Sequence, residues 1–198
     1  MIGAPGLFRR LRGLTLIELM VVLAVAGTIL FVAAPSLRDM ILVQRLRATT
    51  NELITDLQFA RAEAAARNEF VRFRFQQNST LSCYVIFTAD DNAKRCDCRN
   101  GPGAACSDAG TREVKTVSIL KSSGVSLSIP AGQVSLFAFD HVTGGIWAIP
   151  ADLGSYMLPG YRLDVSISGS RRLAASVIQS GRVARCAPAG STMNEVAC

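Results

Sequence analysis

Few side chains in this sequence have the type and spacing for chemistry, and each narrows what the chain does. His141 is the single histidine among 198 residues, so any Ser/His/Asp or Cys/His system would have to use it as base. It lies in Phe139-Asp140-His141-Val142-Thr143-Gly144, a run with the composition of a hairpin turn. Cys96-x-Cys98 with Cys106 downstream offers thiols, but zinc knuckles pair cysteines across about two to four residues, and that pairing is missing. No phosphate-cradling Gly-rich loop with its lysine and no dinucleotide fingerprint occurs. The expectation is therefore no enzyme, no cofactor and no metal.

The arginines near the C-terminus offer a different chemistry. Arg162, Arg171, Arg172, Arg182 and Arg185 are accompanied by only two acids, Asp164 and Glu195. If the last strands are adjacent, these side chains form a basic patch for phosphates. The plain alternative is a solvated strand face that is merely basic. Tyr161 is the one aromatic nearby for stacking on a single strand. The whole-chain charge of +6 adds little weight, because Arg9, Arg10 and Arg12 lie in an acid-free stretch at the N-terminus. Without those three, 18 of the 21 basic residues remain against 15 acids.

Glu18 is the third candidate, and its surroundings make it unusual. From residue 19 to 37 the only polar side chains are Thr28 and Ser36. That is about the 20 apolar residues needed to span a bilayer, and a carboxylate at its edge is costly. An ordinary cleaved signal fits poorly. Val32-Ala33-Ala34 is followed by Pro35, and cutting after Ala24-Val25-Ala26 would leave a short apolar core interrupted by Glu18. An uncleaved anchor fits better, with the flanking arginines holding the N-terminus in the cytoplasm. Everything beyond residue 37 is then exported. The six cysteines all lie there, and in an oxidising compartment they are expected to form disulfides. Six cysteines allow about fifteen pairings. The expected ones are Cys186 with Cys198, tying down the tail, and a bridge from Cys83 into the loop holding Cys96, Cys98 and Cys106.

The segment Arg12-Gly13-Leu14-Thr15-Leu16-Ile17-Glu18-Leu19-Met20 closely resembles the class III signal of type IV pilins and type II secretion pseudopilins. The resemblance implies that a prepilin peptidase cuts after Gly13 and that Leu14, where the family usually has Phe, becomes a methylated N-terminus. It also implies assembly roles for Glu18 and Pro35, the fifth and twenty-second mature positions. The physical case for Glu18 is separate: a carboxylate in hydrocarbon must be neutralised or paired. The freed amine of a neighbouring subunit would supply that pair, registering subunits in a filament. The bland reading is an acid that snorkels to the interface.

Those residues need elements to carry them. Leu42, Leu46, Leu53, Leu57, Ala60 and Ala64 recur at helical spacing and predict one apolar face. Arg45, Glu52, Asp56 and Arg67 fall elsewhere, and Asn68 is a plausible stop. Pro35 is expected to kink the helix without ending it. The run Ala60-Arg61-Ala62-Glu63-Ala64, with Arg67-Asn68 after it, resembles the GspH/FimT branch of the pilin-like proteins. Some FimT-type minor pilins are DNA receptors through a C-terminal Gly-Arg-x-Arg. The counterpart here, Gly181-Arg182-Val183-Ala184-Arg185, is one residue longer. On a regular strand its two arginines would point to opposite faces, unless a turn or bulge intervenes.

Strands are predicted at 70–76, where Val71, Phe73 and Phe75 alternate with Arg72 and Arg74, and at 83–88. Further strands are predicted at 114–120, 124–129, 134–139, 144–149, 161–167, 172–179 and 181–186. The fold class is α+β: a long pilin-type helix against an antiparallel β domain of one sheet or two small ones. The expected divisions are a leader at 1–13, a transmembrane half-helix at 14–37, an amphipathic half at 38–68, and a periplasmic β domain at 69–198 with a Cys-rich loop at 89–110. The implied function is that of a structural minor pilin or pseudopilin in a type IV pilus or type II secretion pseudopilus, or else a DNA-uptake subunit. The implied partners are prepilin peptidase, other pilins, the inner membrane and, in the second case, DNA.

Overall fold

The computed structural model describes residues 15–149 and 154–198, in two units, Met1–Met40 and Ile41–Cys198. Helix α1 (Leu16–Arg67) begins in the first and ends in the second. At its start the Thr15 hydroxyl accepts the Glu18 N–H at 3.3 Å, which satisfies one of the free donors of the first turn. Glu18 itself is a first-turn acid, where the helix dipole favours negative charge. The large apolar side chains described in this unit are exposed, Phe31 by 85%. Pro35 has no N–H to offer the carbonyl four residues earlier. No single straight segment of the described helix is long and apolar enough to cross a membrane, whereas Leu16–Phe31 and Ser36–Arg67 pass that test together as a bent pair.

In the second unit α1 buries Leu46, Leu53, Leu57, Ala60 and Ala64 completely, the face that the spacing predicts. Asn68 then adopts φ 55°, the left-handed conformation that ends helices.

Ten strands follow. One sheet has the order β3 (Thr111–Leu120), β2 (Leu81–Ala89), β1 (Val71–Gln77), β5 (Leu136–Phe139), β6 (Ile146–Ala148), β7 (Tyr156–Met157). The other has the order β10 (Val183–Cys186), β9 (Arg172–Ile178), β8 (Gly160–Ser166), β4 (Ser126–Ser128). All strand pairings are antiparallel. The main core gathers Leu53 and Leu57 of α1, Phe73, Tyr84, Phe137 and Ile146 of the first sheet, and Leu163, Val165 and Val177 of the second. The fold class is thus α+β, with two sheets rather than one.

A second, smaller core lies on the opposite face of β2. Cys83, Val85 and Phe87 pack there with Cys96, Cys98, Ala105 and Leu136. The alternation in β1 places Arg72 on the face away from the main core, and this layer covers that face. Arg72 is only 3% exposed. Its guanidinium donates to the carbonyls of Asp91 at 2.7 Å and Ala89 at 3.1 Å and to the Asn92 side chain at 3.1 Å. The Cys-rich loop covers the polar face of the strand, and Arg72 satisfies the carbonyls that this covering buries. Burial, followed by the Arg95 charge, lowers the Arg72 pKa from its usual value. Asp56 falls off the apolar stripe of α1 yet is buried under the sheet.

Candidate functional site

The C-terminal arginines do not form one patch. Arg185 donates to the Asn51 side chain of α1 at 3.0 Å and pairs with Glu195 at 2.8 Å. Arg162 pairs with Asp164 at 2.9 Å. Arg172 donates to the Ala189 carbonyl at 2.9 Å. Both nearby acids are therefore consumed. Burial raises the Asp164 carboxyl, against the pull of Arg162 and Arg172. Arg171 also has a partner. Arg182 differs, because Gly181 at φ 77° ends the β9–β10 turn just before it. It sits outside the regular strand, exposed, on the rim of a groove.

That groove holds about 670 Å³ and runs between α1, the turn after β5 and the turn before β10. Its floor carries Arg61, which the sequence reading did not single out as a site. Residue 61 stands between Leu57 and Ala64 on the helix surface, so it borders the buried stripe and is itself half-buried. Two glycines close on its guanidinium. A Cβ on Gly144 would lie 2.8 Å from the Arg61 Nε, and one on Gly181 would lie 3.0 Å from the same atom. Both have positive φ, 66° and 77°, a region glycine enters without cost. Among the described residues no acid pairs with Arg61 or Arg182.

His141 lines the groove beside them. Its ring meets Phe70 edge-on at 5.6 Å, and its Nδ1 is buried without a hydrogen bond. The nearest carboxylate oxygen, on Asp140, is 3.6 Å away. Asp140 is occupied by its own turn, accepting from Val142 N–H at 3.2 Å, Thr143 N–H at 3.1 Å and the Thr143 hydroxyl at 2.6 Å. Burial alone would raise the Asp140 carboxyl, but these bonds outweigh it and hold the pKa low. The Thr143 hydroxyl, in the same groove lining as His141, thus already donates to a carboxylate, which is not how a nucleophile is activated.

All six cysteines are in disulfides: Cys83 with Cys98, Cys96 with Cys106, and Cys186 with Cys198. The first reaches from β2 into the loop, the second closes the loop on itself, and the third fastens the tail that carries Glu195. Of the N-terminal positions, Gly13 and Leu14 lie outside the described residues; Glu18 is exposed in the first turn, and Pro35 lies within α1.

A long N-terminal helix bearing an apolar half, followed by antiparallel sheets alone, is the architecture of a pilin-like subunit. Residues 8–34 match the prokaryotic N-terminal methylation motif, and residues 49–144 match the type II transport protein GspH. Together these two matches mark the chain as type IV pilin-like, with a GspH-type region over residues 49–144. Among curated proteins nothing matches significantly. Among solved structures, the Pseudomonas aeruginosa type IV minor pilin FimU is similar at 13% identity, over 77% of this chain and 95% of that one, with a TM-score of 0.49. The Vibrio cholerae minor pseudopilin EpsH of the Type 2 Secretion System is similar at 12% identity, over 73% and 98%, with a TM-score of 0.40. Likenesses at that level carry no functional argument.

Proposed function

We propose that this chain is a structural minor subunit of a pilin-like filament, a type IV pilus or a type II secretion pseudopilus, and not an enzyme. The observation that carries the reading is the methylation-motif match at residues 8–34, upstream of a GspH-type domain. Prepilin peptidase removes residues 1–13, and Leu14 becomes the methylated N-terminus. The helix to residue 37 anchors the chain once in the inner membrane, N-terminus inward, and the β domain stands in the periplasm. During assembly the Glu18 carboxylate pairs with the free amine of a neighbouring subunit, because an unpaired charge in hydrocarbon is costly. Pro35 loosens the helix where it leaves the membrane. Three disulfides in the β domain suit an oxidising compartment.

Mass spectrometry of the polypeptide from the membrane fraction tests this. The expected species begins at N-methylated Leu14; a chain beginning anywhere else removes the assembly argument. Neighbouring genes distinguish the two filaments, a secretin with a secretion ATPase marking the pseudopilus. The alternative, DNA uptake through Arg171, Arg172, Arg182 and Arg185, draws less support. Arg172 and Arg185 are held by partners within the chain, and a phosphate would have to displace them.

A further inference from the structure

Most buried or half-buried cations in this protein have a visible counterpart. Arg72 has its ring of carbonyls, Lys115 has Asp56, Arg185 has Glu195 and Arg162 has Asp164. Arg61 and Arg182 have none among the described residues, and they line the same groove. An arginine guanidinium is a permanent cation in proteins. Arg61 is half-buried against two glycines whose missing side chains leave room for its guanidinium alone. A fork of donors held in that way matches a carboxylate, which it can bind through two parallel hydrogen bonds.

The geometry points to this groove as a carboxylate-binding site, taking an acidic side chain flanked by apolar residues from an adjacent subunit. The word "adjacent" rests on the filament reading above; the carboxylate chemistry does not. Two described acids on the elements that form the groove are already used. Glu63 pairs with Arg67, and Asp140 is closed by its own turn. The rest of the lining has two polar side chains, Gln58 and Thr143, and an aliphatic part: Ala62 and Ala65 on the helix, Val183 opposite, and Val142 standing 77% exposed at the rim. A ligand that fills both parts has a charge beside aliphatic groups, as an acidic peptide does. A duplex would instead need a row of free cations. The groove presents two arginines and a histidine, with no Phe, Tyr or Trp in its lining for stacking on unpaired bases.

The test uses the full chain, 15N-labelled in detergent micelles, followed by NMR at the Gly144 and Gly181 amides and the Arg61 Nε–H. Three probes are titrated separately: an end-capped peptide of alternating valine and aspartate, the same peptide with asparagine for aspartate, and a short DNA duplex. The acidic peptide is expected to shift these signals saturably and the asparagine peptide to leave them in place. Arg61→Gln and Arg182→Gln are each expected to weaken binding by about tenfold or more. The remaining backbone spectrum confirms that each variant is folded. Equal shifts with the asparagine peptide, no saturable shift, or a duplex that displaces the acidic peptide would each overturn the proposal. The two readings fail separately. Peptide binding by a chain that does not begin at Leu14 removes only the filament, and a Leu14 terminus without peptide binding removes only the groove.

Discussion

Tyr84 of β2 donates its phenolic hydrogen to Asp56 of α1 across 2.7 Å, in a place where neither residue meets solvent appreciably. Lys115 of β3 reaches the other carboxylate oxygen at 2.6 Å. One acid on the helix thus fixes two neighbouring strands, and with them the register of α1 against the sheet. Removing the carboxylate strands a buried hydroxyl, while Lys115, itself more than a third exposed, turns to water. Asp56→Ala is therefore expected to lower stability by about 2–3 kcal/mol, and Tyr84→Phe by about 1–2 kcal/mol. Denaturant unfolding of the full chain in micelles measures both. Equal stability of Asp56→Ala and the parent protein would show that apolar packing alone sets the helix.

The same pair predicts an alkaline limb. Burial first, and the bond to Asp56 second, raise the Tyr84 pKa far above its usual value. The unfolded phenol titrates near ~10, so the folded state loses stability as pH rises past that point. Tyr84→Phe should flatten this limb in melting temperatures taken from neutral to alkaline pH.

Acid acts on the Cys-rich loop. Asp97 is held down to about 2, chiefly by the hydrogen bond from Arg99, against the opposing effect of burial. It also accepts the Arg99 backbone N–H at 2.9 Å, capping the short helical turn there. Its folded pKa lies below the unfolded value of about 3.9, so its contribution is complete above that value. It is lost as pH falls through about 2. Melting temperatures from pH 5 downward should therefore fall less steeply in Asp97→Asn than in the parent protein. Identical acid limbs would remove Asp97 as the cause.

Gly181 is expected to be the least replaceable glycine. A Cβ there would sit 1.8 Å from the Gly144 carbonyl oxygen, a backbone atom that cannot swing aside. Gly132 has a similar φ of 82°, but open space where its Cβ would lie. Gly132→Ala should therefore show only the left-handed backbone cost of about 1–2 kcal/mol. Gly181→Ala should cost clearly more and should distort the groove. Equal losses in thermal melts would mean that the two turns separate freely.

What the sequence made legible follows from the range of the interactions. The buried stripe of α1 and the stop at Asn68 are local, and periodicity with a single left-handed residue was enough to read them. Asp56 falls off the apolar stripe in the sequence yet is buried, because its partners come from positions 84 and 115, and no local pattern reports them. Arg72 alternates as an exposed residue should, yet a loop from residues 89 to 95 folds over it. Arg61 stands in the sequence only within the run Ala60-Arg61-Ala62-Glu63-Ala64; the meeting of three distant segments is what makes it a groove floor. The two-residue β7 is too short to carry any alternation. The N-terminal motif was legible for a different reason, since a processing enzyme reads contiguous residues and the information must be linear.

Opening the Cys186 to Cys198 bond should release more than the tail. The bond closes a separation of 12 residues, for which chain entropy gives about 3 kcal/mol. The tail it fastens carries Glu195, the partner of Arg185. Cys186→Ser with Cys198→Ser is expected to lower stability by about 2–3 kcal/mol and to free Arg185 from one of its two partners. Proteolysis should then cut the tail faster than it cuts the Cys83 to Cys98 loop. An unchanged melting temperature would mean that the Ala187 and Ala197 pairing holds the tail without the bond.

The decisive variant for assembly is Glu18→Ala. If the carboxylate serves only as a first-turn acid capped by Thr15, its loss costs a few tenths of a kcal/mol up to about 1 kcal/mol of helix stability, and assembly continues. If it instead pairs with the amine of a neighbouring subunit in hydrocarbon, removal leaves that amine unmatched where an unpaired charge is expensive. The processing proposed above reads the leader and Gly13, not the pair, so on that proposal the variant still begins at Leu14. The two accounts therefore part at one place: the ratio of chain in sheared or sedimented filaments to chain in the membrane. A drop of about tenfold or more, which corresponds to ~1.4 kcal/mol, with intact N-terminal processing, is the result expected of an intersubunit pair. An unchanged ratio would assign Glu18 to helix capping alone.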